Sequence, residues 1–396
     1  MPYVAKKGHS REAAAGVSVR SASLAVWSRD LVDFLDEPEG LLPVLMSGGE
    51  DRRAGRVATS LTFARLIDRN ARGPGLGLKF ALRCALDPMA SFRWLEFMQS
   101  HPALKSAPDY VRSVMADKIH RPFGRKGLSR AERVDWLIEH YRTLARIASQ
   151  DVQAKLISGY RFPVAELRGS RSGTTYTITL SREILSQHQG ELTLLFIDPG
   201  MKAAVVRMAI NLRLGPNDKP HVVICGLQSA KPEHKDDIVR ITRDLDGLRP
   251  KRAVMEAIFA MARSIDAEAL TATALENHVS QSKAIWRRKI FTDYDAFWQE
   301  FAMGRLATGG FQFPLRAAER DPASVPGKKR KAWLKRQDHL ARISEDVGFH
   351  ARLFGADQVN WRARSQQTLY SGRQTDLNME VEGGLQGPWV VEHIAA

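Results

Sequence analysis

"RPKRAVMEAIFAMARSI" (249–265) decides the fold, together with the two runs that bracket it, "HVVICGLQ" (221–228) and "ALTATAL" (269–275). The middle stretch carries apolar residues at helical spacing, and its flanks are apolar and β-branched like buried strands. A strand, a helical crossover and a second strand form a right-handed parallel unit almost by default. Upstream, "TTYTITLS" (174–181), "ELTLLFID" (191–198) and "AAVVRMAINL" (203–212) are further strand-like runs, separated by turns such as "DPG" and "GPND". Connections that short join antiparallel neighbours. The expected fold is α/β, with a mixed, mostly antiparallel sheet and one strand–helix–strand crossover.

From Leu78 to about Gln153 the pattern is helical, and Ser129 with Glu132 has capping-box spacing at the head of "SRAERVDWLIEHYRTLARIA". Its stripe of Val134, Leu137, Ile138 and Tyr141 reads as core. "SLAVWSRDLVDFLDEPEGLLPVL" (23–45) reads as a short amphipathic helix, and "GPGLG" (73–77) as a hinge, since no strand precedes it. The chain divides into a variable, partly disordered region over 1–75, a helical region over 76–155, an α/β domain over 156–345 and an extension over 346–396.

With 396 residues, 44% of them hydrophobic, the chain can bury a sizeable core. A net charge of +15 favours an acidic partner: nucleic acid, anionic lipid or a phosphate-rich cofactor. Two cysteines, Cys84 and Cys225, in separate segments exclude a disulfide framework and any zinc pattern, and no metal is expected. The start lacks the apolar core of a signal peptide, and no run approaches the roughly 18–20 apolar residues of a membrane span. These point to the cytoplasm, with peripheral contact at the inner membrane left open.

"DGLRPKRAV" (246–254) heads the crossover helix. Pro250 suits a first helical turn, and Gly247 permits backbone conformations closed to other residues. Free N–H groups at a positive dipole end bind anions, and Arg243, Arg249 and Lys251 add charge there. The alternative is a plain helix joint with solvated charges. "ENH" (276–278) exits the following strand on the same edge, so Glu276 or His278 is a candidate general base; a structural histidine is the alternative.

The order of elements resembles acyl-CoA-dependent N-acyltransferases of the GNAT type. Their loop usually reads Arg/Gln-x-x-Gly-x-Gly/Ala; here Arg243 and Gly247 stand one residue too far apart, and the second small residue is missing. The resemblance implies an acyl-CoA or acyl carrier protein as donor and an amine or hydroxyl as acceptor. It also implies a tyrosine that protonates the departing thiolate, for which Tyr294 is the candidate. Otherwise Tyr294, Phe297 and Trp298 anchor their helix in the core. "GKKRKAWLKR" (327–336) holds an anion-binding patch of Lys328, Lys329, Arg330 and Lys331. Anionic lipid fits it better than specific DNA binding, for which no helix-turn-helix or zinc context is present.

As a set, "LRCALDPMASFRWLEFM" (82–98), "AERVDWLIEHY" (131–141), "GELTLLF" (190–196), "ICGLQ" (224–228), "RITRDLDGLRPKRAVMEAIFAMAR" (240–263), "NHVSQ" (277–281), "DYDAFWQE" (293–300), "FQFPL" (311–315) and "VPGKKRKAWLKRQDHL" (325–340) resemble the bacterial VirK/YbjX family. The resemblance covers roughly residues 78–345. It departs at Asp246, where the family usually has histidine, and at Ser229, where it usually has glycine. An aspartate beside an anion site opposes phosphate by like-charge repulsion. The family implies a setting of virulence and tolerance of antimicrobial peptides at the Gram-negative envelope, and no reaction. The chain is thus expected to be an acyltransferase or a non-enzymatic basic adaptor.

Overall fold

The computed structural model describes residues 50–70, 75–183, 186–282, 293–316 and 322–355. The expected helix over 23–45, the expected disorder near the start and the extension beyond 355 lie outside the described residues.

The first layer is helical: α1 (Glu50–Asn70), α2 (Leu76–Leu86), α3 (Pro88–Ser100), a single turn at Pro102–Lys105, α4 (Asp109–Ala116), α5 (Arg130–Ile147) and α6 (Gln150–Ile157). The capping box at the head of α5 is present. Ser129 Oγ accepts from the Glu132 N–H at 3.3 Å, and the Ser129 N–H donates to Glu132 Oε2 at 2.8 Å. Two of the orphan N–H groups of that helix start are thereby satisfied. Its stripe of Val134, Leu137, Ile138 and Tyr141 is buried, and α5 packs on the sheet at strand β4 (Val206–Leu214).

The sheet is mixed and eight-stranded, in the order β1-β2-β3-β4-β5-β6-β8-β7. Its strands are β1 (Phe162–Arg168), β2 (Thr175–Ser181), β3 (Leu192–Ile197), β4, β5 (Pro220–Ser229), β6 (Ala269–Thr273), β7 (Gly304–Leu306) and β8 (Gly310–Phe313). β1 through β5 pair antiparallel, β5 and β6 parallel, and β8 antiparallel to both β6 and β7. The expected mixed sheet is observed, with three more strands than its sequence signals show. β1 contains Pro163, which breaks strand patterning and is tolerated because β1 is an edge; the register shifts beside it.

Between β5 and β6 the chain forms α7 (Lys235–Asp244) and α8 (Pro250–Ser264), and after β6 it forms α9 (Tyr294–Gln299). α8 is buried along most of its length, from Ala253 to Ala262. The long helix α10 (Gly327–Phe354) packs on α8 and β1. The two run in the same direction. Asp246, just before α8, lies 3.5 Å from both Lys335 and His339, while Arg263 in the last turn of α8 donates to Ser344 Oγ at 2.6 Å.

A buried polar cluster ties the helical layer to the sheet. The Glu191 carboxylate is ion-paired with Lys118, lies 3.6 Å from Arg182 Nε and accepts from the Tyr141 hydroxyl at 2.5 Å. Burial alone would raise the Glu191 carboxyl, but Lys118 and Arg182 more than offset this and hold it down at about 2. Burial pushes the Lys118 ammonium down to about 8, against the pull of Glu191. The Glu191 N–H donates to Asn211 Oδ1, and Asn211 Nδ2 donates to Cys225 Sγ at 3.4 Å, so the cluster reaches strand β5.

Candidate functional site

Strand β5 opens away from β6 halfway along. The two pair in parallel from His221↔Ala269 to Ile224↔Ala272, and there the pairing stops. β5 continues to Ser229 bonded to β4 alone. A β-bulge lies at the parting point: Ile210 faces Ile224 and Ala209 faces Gly226, leaving Cys225 as the extra residue. A bulge bends its strand and increases its twist, and β6 itself ends one residue beyond the last pair, at Thr273. From Gly226 onward β5 has no strand partner on its β6 side. Cys225 itself is core: burial pushes its thiol up to about 12, so it stays protonated.

His278 lies beside Gly226, only 2% exposed. Its Nδ1 lies 2.5 Å from Ser280 Oγ, and its Nε2 is buried with no hydrogen-bond partner. Nε2 points at Gly226: a Cβ added there would stand 3.0 Å from it and 2.2 Å from Gln189 Oε1. Glycine at 226 is what lets both side chains reach the strand. Burial pushes His278 down to about 4, so the ring is neutral near pH 7. The Tyr294 ring meets it edge-on at 5.1 Å, and burial raises the Tyr294 phenol to about 12.

A strap from the helical layer holds these parts in place. The Gly124 N–H donates to His188 O at 2.9 Å, the Lys126 N–H donates to Asn277 O at 2.8 Å, and Arg125 bridges to His278. Arg125 Nε is buried without a hydrogen-bond partner.

The α7–α8 joint stands at the same end of the sheet. Asp246 and Gly247 are both left-handed, at φ 52° and 89°, and Arg249 caps α8 without a side-chain hydrogen bond. An Ala or larger residue at 247 would strain that turn and crowd Arg336, whose Nη1 lies 3.2 Å from the Cβ position. Arg243 and Arg249 are exposed. Arg249 pairs with Glu300 at the end of α9, and Lys251 lies 5.9 Å above the Phe297 ring of α9. Lys335, 3.5 Å from Asp246, partly offsets the like-charge objection to an anion there.

Arg249, Lys251, Tyr294 and His278 therefore form one chain of contacts, with α9 as the link. Glu276 does not join it: it is exposed and held by Arg305 Nη2 at 2.8 Å. Arg243, exposed on α7, does not join it either, and Lys328, Lys329, Arg330 and Lys331 occupy the exposed first turns of α10. Of the aromatic and basic stretch before Tyr294, residues 283–292 lie outside the described residues. Tyr294, Phe297 and Trp298 are all buried, as the core reading of α9 expects.

Gln189, Ser280, Arg125 and Asp244 carry no sequence signal and were found only in space. Asp244 pins the β1–β2 hairpin to the joint, accepting from the N–H groups of Arg171 and Ser172 at 3.0 and 2.9 Å and from the Tyr176 hydroxyl at 2.8 Å. Burial would raise its carboxyl, but these bonds and the Ser172 hydroxyl bring it down to about 2. An apolar cavity of about 40 Å³ lined by Leu144, Leu194, Met261 and Phe354 lies elsewhere in the core; its walls offer no charged group, and it reads as a packing void.

A helical layer on a mixed sheet that parts onto a buried histidine defines an α/β protein with a candidate ligand cleft at a strand split. The chain belongs to the VirK/YbjX family: the family model described as "Protein of unknown function (DUF535)" matches residues 76–348. It is 28% identical to "Uncharacterized protein YbjX" of Escherichia coli K12 over 273 residues, which are 68% of this chain and 81% of that protein. It is 26% identical to an "Uncharacterized protein" of Haemophilus influenzae over 137 residues, 34% of this chain and 44% of that protein. No solved structure matches the chain. No helix among the described residues is long and apolar enough to cross a membrane.

Proposed function

We propose that the β5–β6 split binds the acyl-bearing arm of an acyl-CoA or acyl carrier protein and transfers the acyl group to an amine or hydroxyl. The observation that carries this reading is the free edge of β5 at Gly226, faced by the unpartnered Nε2 of His278. A strand edge with unpaired N–H and C=O groups accepts an extended amide-bearing chain by strand addition. The order of elements resembles the GNAT-type plan, in which the donor would bring a pantetheine arm to this edge. The N–H groups at the head of α8, with Arg249 and Lys251, would hold the donor phosphates.

In this reading the His278 proton moves to Nδ1 and is donated to Ser280 Oγ, which gives up the 3.3 Å contact in which Nδ1 accepts from the Ser280 N–H, and the Nε2 lone pair then takes the proton of the attacking amine or hydroxyl. The new bond forms to the thioester carbonyl carbon and the carbon–sulfur bond breaks. Tyr294, protonated at neutral pH, supplies the proton to the leaving thiolate. Arg125 would supply a fixed donor to the charge that develops on the carbonyl oxygen. Gln189 sits against Gly226 and would have to swing aside for the donor to enter. Thermal unfolding against acyl-CoA tests the reading: a ligand at about 100 times its Kd stabilises by roughly 2.7 kcal/mol. A shift that survives Arg249→Ala and His278→Ala together would sink these assignments.

A second reading has its own support. Lys328, Lys329, Arg330 and Lys331 crowd the first turns of α10, and that helix has no acidic residue in its first turn. Cations at a positive dipole end are unfavourable, typically by about 0.3–1 kcal/mol each. An anionic partner relieves that cost, as a basic adaptor in envelope stress, virulence or antimicrobial-peptide tolerance would need. Charge reversal at these positions that leaves every such phenotype intact would remove this reading.

A further inference from the structure

Helix α2 has two apolar faces. Phe80 and Cys84 point into the core, while Leu82 and Leu86 point out, one turn apart, with Met89 following across the corner into α3. Leu82 is 53% exposed, Leu86 77% and Met89 70%. Pro88 and Ala85, also exposed, fill the corner between them. Such side chains contribute nothing to the fold. Three large apolar groups grouped on one corner mark an interaction surface.

We infer that this α2–α3 corner inserts into an anionic lipid bilayer. Its shape argues for lipid. The side chains stand clear of the body at a turn between two helices, and a bilayer accepts projecting aliphatic groups that a protein partner would have to meet with matching holes. The surrounding charge agrees. Lys79 is exposed one turn before Leu82 on the same face of α2. Beside Met89 lies a surface cleft of about 370 Å³ lined by Arg56, Phe92, Arg93 and Glu96. Arg56 and Arg93 are paired there with Glu96 and Asp135, at 3.0 and 2.6 Å, so the cleft is close to charge-balanced and the attraction to an anionic surface comes from Lys79 and the chain as a whole. The chain's net charge of +15 draws it to a negative surface from a distance. This surface is independent of the acyl-transfer reading and uses none of its residues.

The full chain would be sedimented with vesicles of phosphatidylglycerol and phosphatidylethanolamine, and with phosphatidylcholine vesicles as the neutral control. Binding to the anionic vesicles is expected, with a loss of about tenfold or more in Leu86→Ser/Met89→Ser, whose exposed positions leave the melting temperature unchanged. A Leu86→Cys chain labelled with an environment-sensitive dye should shift to the blue on anionic vesicles and become shielded from an aqueous quencher. Failure to bind either vesicle, or unchanged binding by the double variant, overturns the inference. So does loss of binding on Lys328→Glu/Lys329→Glu with none on Leu86→Ser/Met89→Ser, which would place the lipid contact on α10. A dye already shielded without vesicles would show the corner covered by protein, and light scattering would then tell a second copy from the chain's own ends.

Discussion

Among the described residues Glu191 is the sole carboxylate in direct contact with both Lys118 and Arg182; Glu191 and Lys118 are buried and Arg182 nearly so. Their contributions to stability should therefore be unequal. Glu191→Gln leaves two cations facing each other out of water with no counter-charge. Breaking a buried pair in this way costs about 3–5 kcal/mol, and the Tyr141 hydroxyl loses its charged acceptor as well. Lys118→Met removes the excess cation and leaves Glu191 with Arg182 and Tyr141, so its cost should stay within about 1–2 kcal/mol. At about 2–4 °C per kcal/mol for a chain of this size, Glu191→Gln should melt roughly 10 °C lower than the parent, and Lys118→Met only a few degrees lower. The double variant should recover part of the loss, because it deletes one of the two stranded cations. Thermal and urea unfolding of the three variants measure this directly. If Lys118→Met were as damaging as Glu191→Gln, or the double variant were the least stable, the charge accounting at this cluster would be wrong.

Acid should destabilise the fold well above the carboxylate range. His120, His140 and His278 are all pushed down to about 4 by burial, so between pH 6.5 and 4 the unfolded chain takes up protons that the folded chain refuses. Stability then falls as pH drops, by up to about 1.4 kcal/mol per pH unit for each histidine, and a His278→Gln variant should show a shallower melting curve against pH. Glu191, held at about 2, extends the loss below pH 4.5. Asp244→Ala should cost about 3 kcal/mol by stranding the Tyr176 hydroxyl and two N–H groups, and should raise amide exchange in the 169–174 hairpin; exchange unchanged there would contradict its pinning role. Gly226→Val should abolish binding of any donor at the split through collision with His278 and Gln189, whereas Val57→Ala, on the exposed face of α1, should leave it intact.

The crossover was legible because strand and helix periods alternate cleanly around "RPKRAVMEAIFAMARSI" and because Pro250 and Ser129 are local signals read within a few residues. β1, β7 and β8 were not. Pro163 interrupts one, and the other two are three or four residues long in a glycine-rich stretch, where no period can be counted. The same divide runs through the site. His278 and Tyr294 stood out as titratable groups beside predicted elements, and the structure places their rings 5.1 Å apart. Arg125 and Gln189 lie far from them in sequence and reach His278 and Gly226 on loops, which propensity does not address. The bulge at Cys225 depends on a one-residue difference between paired strands, and a single strand's sequence does not record it. Asp246 looked hostile to an anion until α10 supplied Lys335 across space.

The central claim is that the parted strands and the head of α8 form one donor site. Calorimetric titration of the full chain with a long-chain acyl-CoA tests it most directly, alongside Gly226→Val and Arg249→Ala. The account predicts saturable one-to-one binding by the parent, none by Gly226→Val, and weakened binding with a reduced salt dependence in Arg249→Ala. Binding by Gly226→Val at the parent's affinity, or no heat with any acyl-CoA or acyl carrier protein, would contradict it.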